Sequence, residues 1–429
     1  MTVHVAGAGL AGLAAALDCA AAGGTVVLHE AASSAGGRCR SFADRELGAT
    51  LDNGAHVILG VNRAAFGYLA ACGALDRLVA AADAIPVLDL ASGRSWSVPV
   101  AGHVPLGLLR QPPPGARRRD LFALARRLGG DPAGSVAEAF GPLGPVYRWL
   151  IAPLCLAAMN AAPDAVEARA FAPVLRRLAL AGRGGLRPFV ARESLSGTFV
   201  APALERLARL GAEVRFGDRL LGIAADGRRA SAARFASGAA ALAAGDGLVL
   251  AVPPPEARRL LPGLALPACA ARAIVNVHFR PGAIPPFPGH ASMLGLLGGT
   301  AQWLFRRRRW LTATASDAGG LLRVAPADAA RLMWADAVAA LRMAGAPIPA
   351  FRVVRERRAT WTPSTATGPG SGLANVFLAG DWTVPDLPGT IEAAVLSGRR
   401  AAARYLEGAV SAGDDALSAA LRGANACYI

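Results

Sequence analysis

Three glycines spaced Gly7-x-Gly9-x-x-Gly12, an acid at Glu30 and a glycine pair at Gly36-Gly37 are the first residues of this 429-residue chain with a chemical use. An apolar run, Val3–Ala6, leads into the turn, and an Ala/Leu-rich stretch leaves it. A second apolar run, Thr25–His29, ends on Glu30. Strand, glycine turn, helix, strand and acid, in that order, suit a dinucleotide. Gly7 makes the tight turn, Gly9 lets the backbone approach a pyrophosphate, and Gly12 lets helix and strand pack closely. The helix opens at Leu10 and Ala11, whose amides and positive dipole end favour phosphate. Glu30, 18 residues past Gly12, stands where a carboxylate accepts a ribose 2′-OH and repels a 2′-phosphate, which disfavours NADP. The turn alone does not separate NAD from FAD.

The rest of the chain must position that turn. The pattern predicts a helix over Arg63–Ala82, short strands and proline-rich loops over 85–120, and helices over Arg119–Leu128 and Pro145–Met159. Leu51–His56 reads as a polar turn between apolar segments. Trp149–Pro163 carries no charge; it falls short of the ~20 residues a spanning helix needs, and a buried helix is favoured over the wall of an apolar pocket. A helix over Phe199–Leu210 and strands over Ala212–Phe216 and Leu248–Val252 follow. An alternating strand starts at Ala273, and Gln302–Thr312 reads as a hairpin with the basic tip Arg306–Arg309. Trp303 and Trp310 beside those arginines suit a membrane interface, although a solvated tip is the plainer reading. A helix over Ala327–Gly345 and a charged strand over Phe351–Trp361 come next. Gly368–Gly372 reads as a loop, because Pro369 interrupts it and no strand precedes it. Finally the strand Val376–Ala379 ends in Gly380-Asp381, and a Pro/Gly loop leads to a helix over Thr390–Leu406.

Composition narrows the class. With 53% hydrophobic and 17% charged residues the chain is globular. Its net charge of +15 comes entirely from arginine, since there is no lysine. That points to coding bias, and no basic–aromatic motif supports nucleic-acid binding. A basic face toward anionic lipid and a merely solvated surface are equally compatible with the same charge. Six cysteines without a CxxC give neither a metal site nor a disulfide framework. With a strand expected from residue 3, no signal peptide is expected, and no uncharged apolar run reaches the ~20 residues a spanning helix needs. The expected location is cytoplasmic, with at most a peripheral contact on the inner face of the cell membrane.

The Gly36-Gly37-Arg38-Cys39-Arg40 run is similar to the Gly-Gly-Arg that flavin oxidoreductases of the amine-oxidase and carotenoid-desaturase type carry after the acid. Together with GAGLAG and Glu30, the stretches LDNGAHVILG (Leu51–Gly60), PLCLAAMN (Pro153–Asn160) and LAGDWTVPDLPGTIEAAVLSGRRAA (Leu378–Ala402) resemble the squalene-associated FAD enzymes, the hydroxysqualene dehydroxylases. The resemblance covers nearly the whole chain. It implies an α/β fold, with a Rossmann-like FAD-binding domain of the amine-oxidase and glutathione-reductase type and an α+β substrate-binding domain. The FAD-binding parts would be 1–62, 191–270 and 351–410, the substrate parts 63–190 and 271–350, and 411–429 a tail. It implies FAD held by Gly7, Gly9, Leu10, Ala11, Gly12, Glu30, Gly36, Gly37 and Arg38. The backbone of Val214 would border the adenine, Gly380 and Asp381 would take the ribityl chain, and Thr390 and Ile391 would open a helix toward the flavin ring.

The reaction so implied is reductive removal of the hydroxyl of hydroxysqualene to give squalene, in hopanoid synthesis. Protonating an allylic hydroxyl and losing water leaves a delocalised cation that a hydride from reduced flavin quenches. Such a site needs an apolar tunnel, a proton donor and exclusion of water. The donor candidates are His56, Asp52 and Asp386, with His56 first because an imidazole can carry a proton near neutral pH. The plainer alternative has Asp52 and Asn53 shaping a turn and His56 bonding flavin or backbone. Three rivals stand beside this reading. A carotenoid-type desaturase or isomerase would use the same fold in the oxidative direction. An amine oxidase fits poorly with no lysine and four tyrosines. A non-catalytic FAD scaffold fits poorly with cofactor segments intact at both ends. The implied partners are a hydrophobic C30 isoprenoid, a peripheral membrane contact and an electron donor, either a nicotinamide docking transiently or another protein. No metal and no nucleic acid are expected.

Overall fold

The computed structural model describes residues 1–266, 270–361 and 370–411. Residues 412–429 of the expected tail, Gly368 and Pro369 of the glycine-rich loop, Cys269 and Cys427 lie outside the described residues.

Five parallel strands form one sheet, in the order Glu213–Phe216, Thr25–Glu30, Thr2–Ala6, Gly247–Leu250 and Val376–Leu378. Its strands are near-continuous apolar runs because both faces are covered, and Val3, Val5 and Leu248–Leu250 have no exposed surface. On one face lie the helices Leu10–Ala21, Ala201–Arg209 and Ile391–Ser411. The first and last of these approach backbone to backbone: a Cβ on Gly398 would stand 2.0 Å from the Ala11 carbonyl oxygen. On the other face packs a three-stranded antiparallel sheet, Leu220–Asp226, Arg229–Phe235 and Gly238–Ala241. The first strand has neighbours reached by connections on either side of it. A doubly wound sheet opens its binding crevice at that point, outside the carboxyl ends of the strands.

A second, seven-stranded sheet runs in the order Ala350–Trp361, Ala271–Arg280, Trp310–Ala315, Trp303–Arg307, Met293–Leu297, Ala84–Asp89 and Ser95–Pro99. Along Ala271–Arg280 alternate residues point to opposite sides. Val275, Val277 and Phe279 meet the helix Pro326–Leu341 in an apolar core, while Asn276 and His278 lie on the opposite face and are buried too. A third core gathers the short helices between residues 104 and 179 around Phe140, Ile151, Cys155 and Phe171. Trp149–Pro163 turns one side into it, with Ile151, Cys155, Met159 and Ala161 buried and Ala157 exposed, as a π-turn over Tyr147–Ile151 running into the helix Ala152–Met159. None of its residues lines the main cavity.

One expected element divides. The helix read over Arg63–Ala82 stops at Ala71, because Gly73 takes φ +66° and turns the chain. Leu78–Ala80 then pairs as a strand with Pro188–Ala191. Among the described residues no helix is long and apolar enough to cross a membrane.

Candidate active site

A cavity of about 660 Å³ opens at the carboxyl ends of the parallel strands. It is within the size range of small-molecule and cofactor sites. Its walls include Gly7, Gly9, Leu10, Ala11, Glu30, Gly36, Gly37, Arg38, His56, Gly380, Asp381, Thr390 and Ile391.

The glycine turn is shaped by close approaches. Gly7 has φ +104°, and a Cβ there would stand 2.5 Å from the Ala251 carbonyl oxygen. A Cβ on Gly12 would lie 1.8 Å from the Gly7 carbonyl oxygen, so Gly12 packs the helix and does not line the cavity. A Cβ on Gly9 would meet no protein atom within 4 Å. The space beside Gly9 is therefore open, as a pyrophosphate requires. The helix Leu10–Ala21 has no capping side chain and no acid in its first turn, which leaves its first amides available to an anion. Both Glu30 oxygens accept backbone N–H groups, Oε2 from Ala8 at 2.7 Å and Oε1 from Ala32 at 2.8 Å, each with lone pairs to spare for a ribose hydroxyl. The residues present thus fit a flavin dinucleotide.

Gly36 and Gly37 both take positive φ, and the Gly36 N–H donates to Ala8 at 2.8 Å, which ties this loop onto the glycine turn. Arg38 bridges the two ends of the chain. Its Nη2 pairs with Asp381 Oδ1 at 2.6 Å and its Nη1 donates to the Ala359 carbonyl at 2.8 Å. Thr390 caps the last helix by accepting from the Ala393 N–H at 3.2 Å. Glu392, one residue into that helix, is committed elsewhere: it accepts from the Ala65 N–H and pairs with Arg177.

Three of the candidate residues lie away from the cavity wall. Asp52 is buried and does not line the cavity. Its Oδ1 accepts from Ser41 Oγ at 2.6 Å and the Leu195 N–H at 3.0 Å, and its Oδ2 pairs with Arg307 at 2.6 Å. Those partners engage both carboxylate oxygens within the protein. Asp386 sits exposed on a turn, away from the cavity walls. Val214 pairs with Leu28 inside the parallel sheet, and the cavity is bordered instead by Asp218, Arg219 and Leu220, after the Gly217 turn. No local signature marks Leu220, since the path of the chain across the sheet edge alone brings it there.

His56 does line the cavity, and no protein hydrogen bond engages its ring among the described residues. Burial pushes its pKa down to about 4, with the Asp52 carboxylate opposing that shift and the Arg38 guanidinium adding to it. Burial thus favours the neutral imidazole over the protonated one. The sign of the pH effect follows. Its ordinary pKa of 6.5 applies to the unfolded chain, so acid favours the unfolded state between pH 6.5 and about 4. Stability from this group is full above that window and is lost as pH falls through it. Urea unfolding of the wild type should weaken across the window more than that of His56→Gln; equal slopes would remove His56 from the account.

The His56 loop is braced by the second sheet. His278 Nε2 lies 2.9 Å from the Asp52 carbonyl oxygen and its Nδ1 lies 2.9 Å from Thr312 Oγ1. Thr314 Oγ1 donates to Asn276 Oδ1 at 2.8 Å, and Asn276 faces the Asn53 carbonyl at 3.5 Å. Asn53 in turn donates to Glu356 at 3.2 Å. Cys39 also borders the cavity, but burial pushes its thiol far up and leaves it inert.

The sequence gives no hint of a second buried network. His4 Nδ1 lies 3.0 Å from His29 Nε2, and His29 Nδ1 lies 2.8 Å from Asp218 Oδ2. With Asp218 ionised, each histidine donates from Nδ1, and His29 stacks on Phe235 with ring centroids 3.6 Å apart. Burial lowers the pKa of both rings. His29 and Asp218 face the cavity beside Glu30. Trp361, at the end of its long strand, adds an aromatic wall.

Fold and cavity define a flavin-dependent oxidoreductase. The family model for flavin containing amine oxidoreductases matches residues 10–284 and 288–406. Cyclohexylamine oxidase from Brevibacterium oxydans shares the fold, with a TM-score of 0.69 at 17% identity over 95% of this chain and 98% of that one. The chain belongs to the flavin-containing amine oxidoreductases and, within them, to the hydroxysqualene dehydroxylase family. It is 38% identical to the hydroxysqualene dehydroxylase of Rhodopseudomonas palustris over 94% of this chain and 97% of that protein. It is 32% identical to that of Zymomonas mobilis over 93% and 97%. The cofactor is FAD. The desaturase alternative is not favoured.

Proposed function

We propose that this protein removes the hydroxyl of hydroxysqualene reductively to give squalene. The observation that carries the reading is likeness to hydroxysqualene dehydroxylases over nearly the whole of both chains. The balance is simple: the alcohol takes up a proton, loses water as its C–O bond breaks, and gains a hydride at carbon. Reduced FAD supplies that hydride when bound. In this reading Gly7, Gly9, Leu10, Ala11, Glu30, Gly36, Gly37, Arg38, Gly380, Asp381, Thr390 and Ile391 hold the cofactor, with Leu220 at its adenine end.

His56 serves as a neutral imidazole. Its ring hydrogen-bonds the substrate hydroxyl, orients it, and relays to it the proton that the departing water carries away. Trp361 offers a π-face to the developing cation. The electrons come from outside the chain. Anaerobic photoreduced holoprotein mixed with hydroxysqualene should reoxidise its flavin and yield squalene in equal amount. Reoxidation without squalene would end this reading.

A further inference from the structure

The helices Val104–Arg110, Arg118–Gly129 and Ala168–Ala179 turn their inner sides to one core, which takes Val104, Leu108, Leu121, Leu124, Val174 and Leu175. Their outer sides are unusual. Leu106 is 56% exposed, Phe122 63%, and Leu180, directly after the third helix, 84%. These make up three of the nine large hydrophobic residues exposed among the described residues. The first two helices and the loop between them carry six arginines against one acid, Asp120. Arg110 and Arg183 line a groove of about 440 Å³ with Pro99 and Leu106.

We propose that this face docks on an anionic membrane surface. Exposed leucine and phenylalanine beside arginine is the composition of an interfacial element: the apolar groups enter the acyl boundary and the guanidinium groups pair with headgroup phosphates. A nucleic acid would use the arginines but not the apolar side chains. The hairpin Trp303–Ala315 is a poorer platform: Arg306, Arg308 and Arg309 are exposed at its tip, but no large hydrophobic side chain on it is exposed. Arg307 pairs with Asp52, Trp303 is half-buried close to Gly295, and Arg280 lies over Trp310 at 5.9 Å. The proposal rests on the reading above only for its purpose, delivery of a water-insoluble substrate; exposure and charge stand without it.

The test is flotation of the FAD-loaded protein with vesicles of phosphatidylcholine alone or with added phosphatidylglycerol. Wild type should float with the anionic vesicles, fail with the neutral ones and come off in high salt. The triple variant Leu106→Ser, Phe122→Ser, Leu180→Ser should bind about tenfold more weakly or worse, with its flavin spectrum and its turnover of detergent-dispersed substrate unchanged. Arg118→Ser with Arg126→Ser gives an independent arm and should weaken binding too. Arg306→Ser with Arg309→Ser should bind like wild type. The proposal is overturned if the triple variant binds as wild type does, if the hairpin variant is the one that lets go, or if duplex DNA displaces the protein from vesicles. Vesicle binding that persists in a protein unable to make squalene would sink the reaction and leave the surface intact.

Discussion

Gly12→Ala should give a colourless protein. The added methyl would stand 1.8 Å from the Gly7 carbonyl oxygen and 3.2 Å from the Ala251 side chain, so the helix Leu10–Ala21 must move off the sheet. Overpacking of that kind costs about 1–3 kcal/mol in stability. The larger loss is in cofactor affinity. Each amide at the helix start is worth about 1.5–3 kcal/mol to a charged acceptor, and misplacing both Leu10 and Ala11 weakens FAD by roughly 10²- to 10⁴-fold. Gly9→Ala separates the two effects. Its methyl meets no protein atom, only the cavity, so thermal stability of the apoprotein should hold while FAD is lost. Fluorescence titration with FAD checks both; a Gly12→Ala protein that binds as wild type would refute the packing argument.

Asp52→Ala should destabilise the protein by about 3 kcal/mol, the lower end for a broken buried pair because Arg307 keeps some solvent contact. The substitution strands Arg307, Ser41 Oγ and the Leu195 N–H together. It also loosens the strand end from which the His56 loop departs. Asp52→Asn combined with Arg307→Met should recover part of the loss, since removing both charges relieves the unpaired one. Were Asp52 a proton donor, its neutral variants would fold normally and only turnover would fall. Denaturation of the FAD-loaded protein distinguishes the cases, and an unchanged midpoint for Asp52→Ala would rule out the structural role.

How much of this was legible beforehand depends on the reach of each interaction. Gly7 to Gly12, Glu30, Gly36 to Arg38, and Gly380 to Ile391 each sit within one strand–turn–helix unit. Their spacing along the chain therefore states their geometry, and within these units every named cofactor residue except Gly12 lines one cavity. The five-stranded sheet was visible for the same reason, as apolar runs bounded by turns. Asp52 was not legible. Its run looks like a surface turn, yet the Asp52 side chain is held by partners 11, 143 and 255 residues away. The state of His56 was equally hidden, because burial, a tertiary property, sets its pKa. Leu220, and not Val214, lines the cavity because the chain leaves the sheet at Gly217 before it reaches that wall. Arg63–Ala82 misled because a single glycine overrode a periodic pattern.

The sheet order joins strands that are far apart in the chain, and the cavity wall runs from Ala6 to Ala394. At about 5–20 residues per second, the ribosome needs roughly 20–80 s to pass from the first wall residue to the last. Through most of that time the strand Thr2–Ala6 has no partner on the side that Gly247–Leu250 will take, and an unpaired edge invites aggregation. Cofactor capture is therefore a late event in biogenesis. The nascent chain makes its phosphate turn early and must keep it from misassociating until the closing helix arrives.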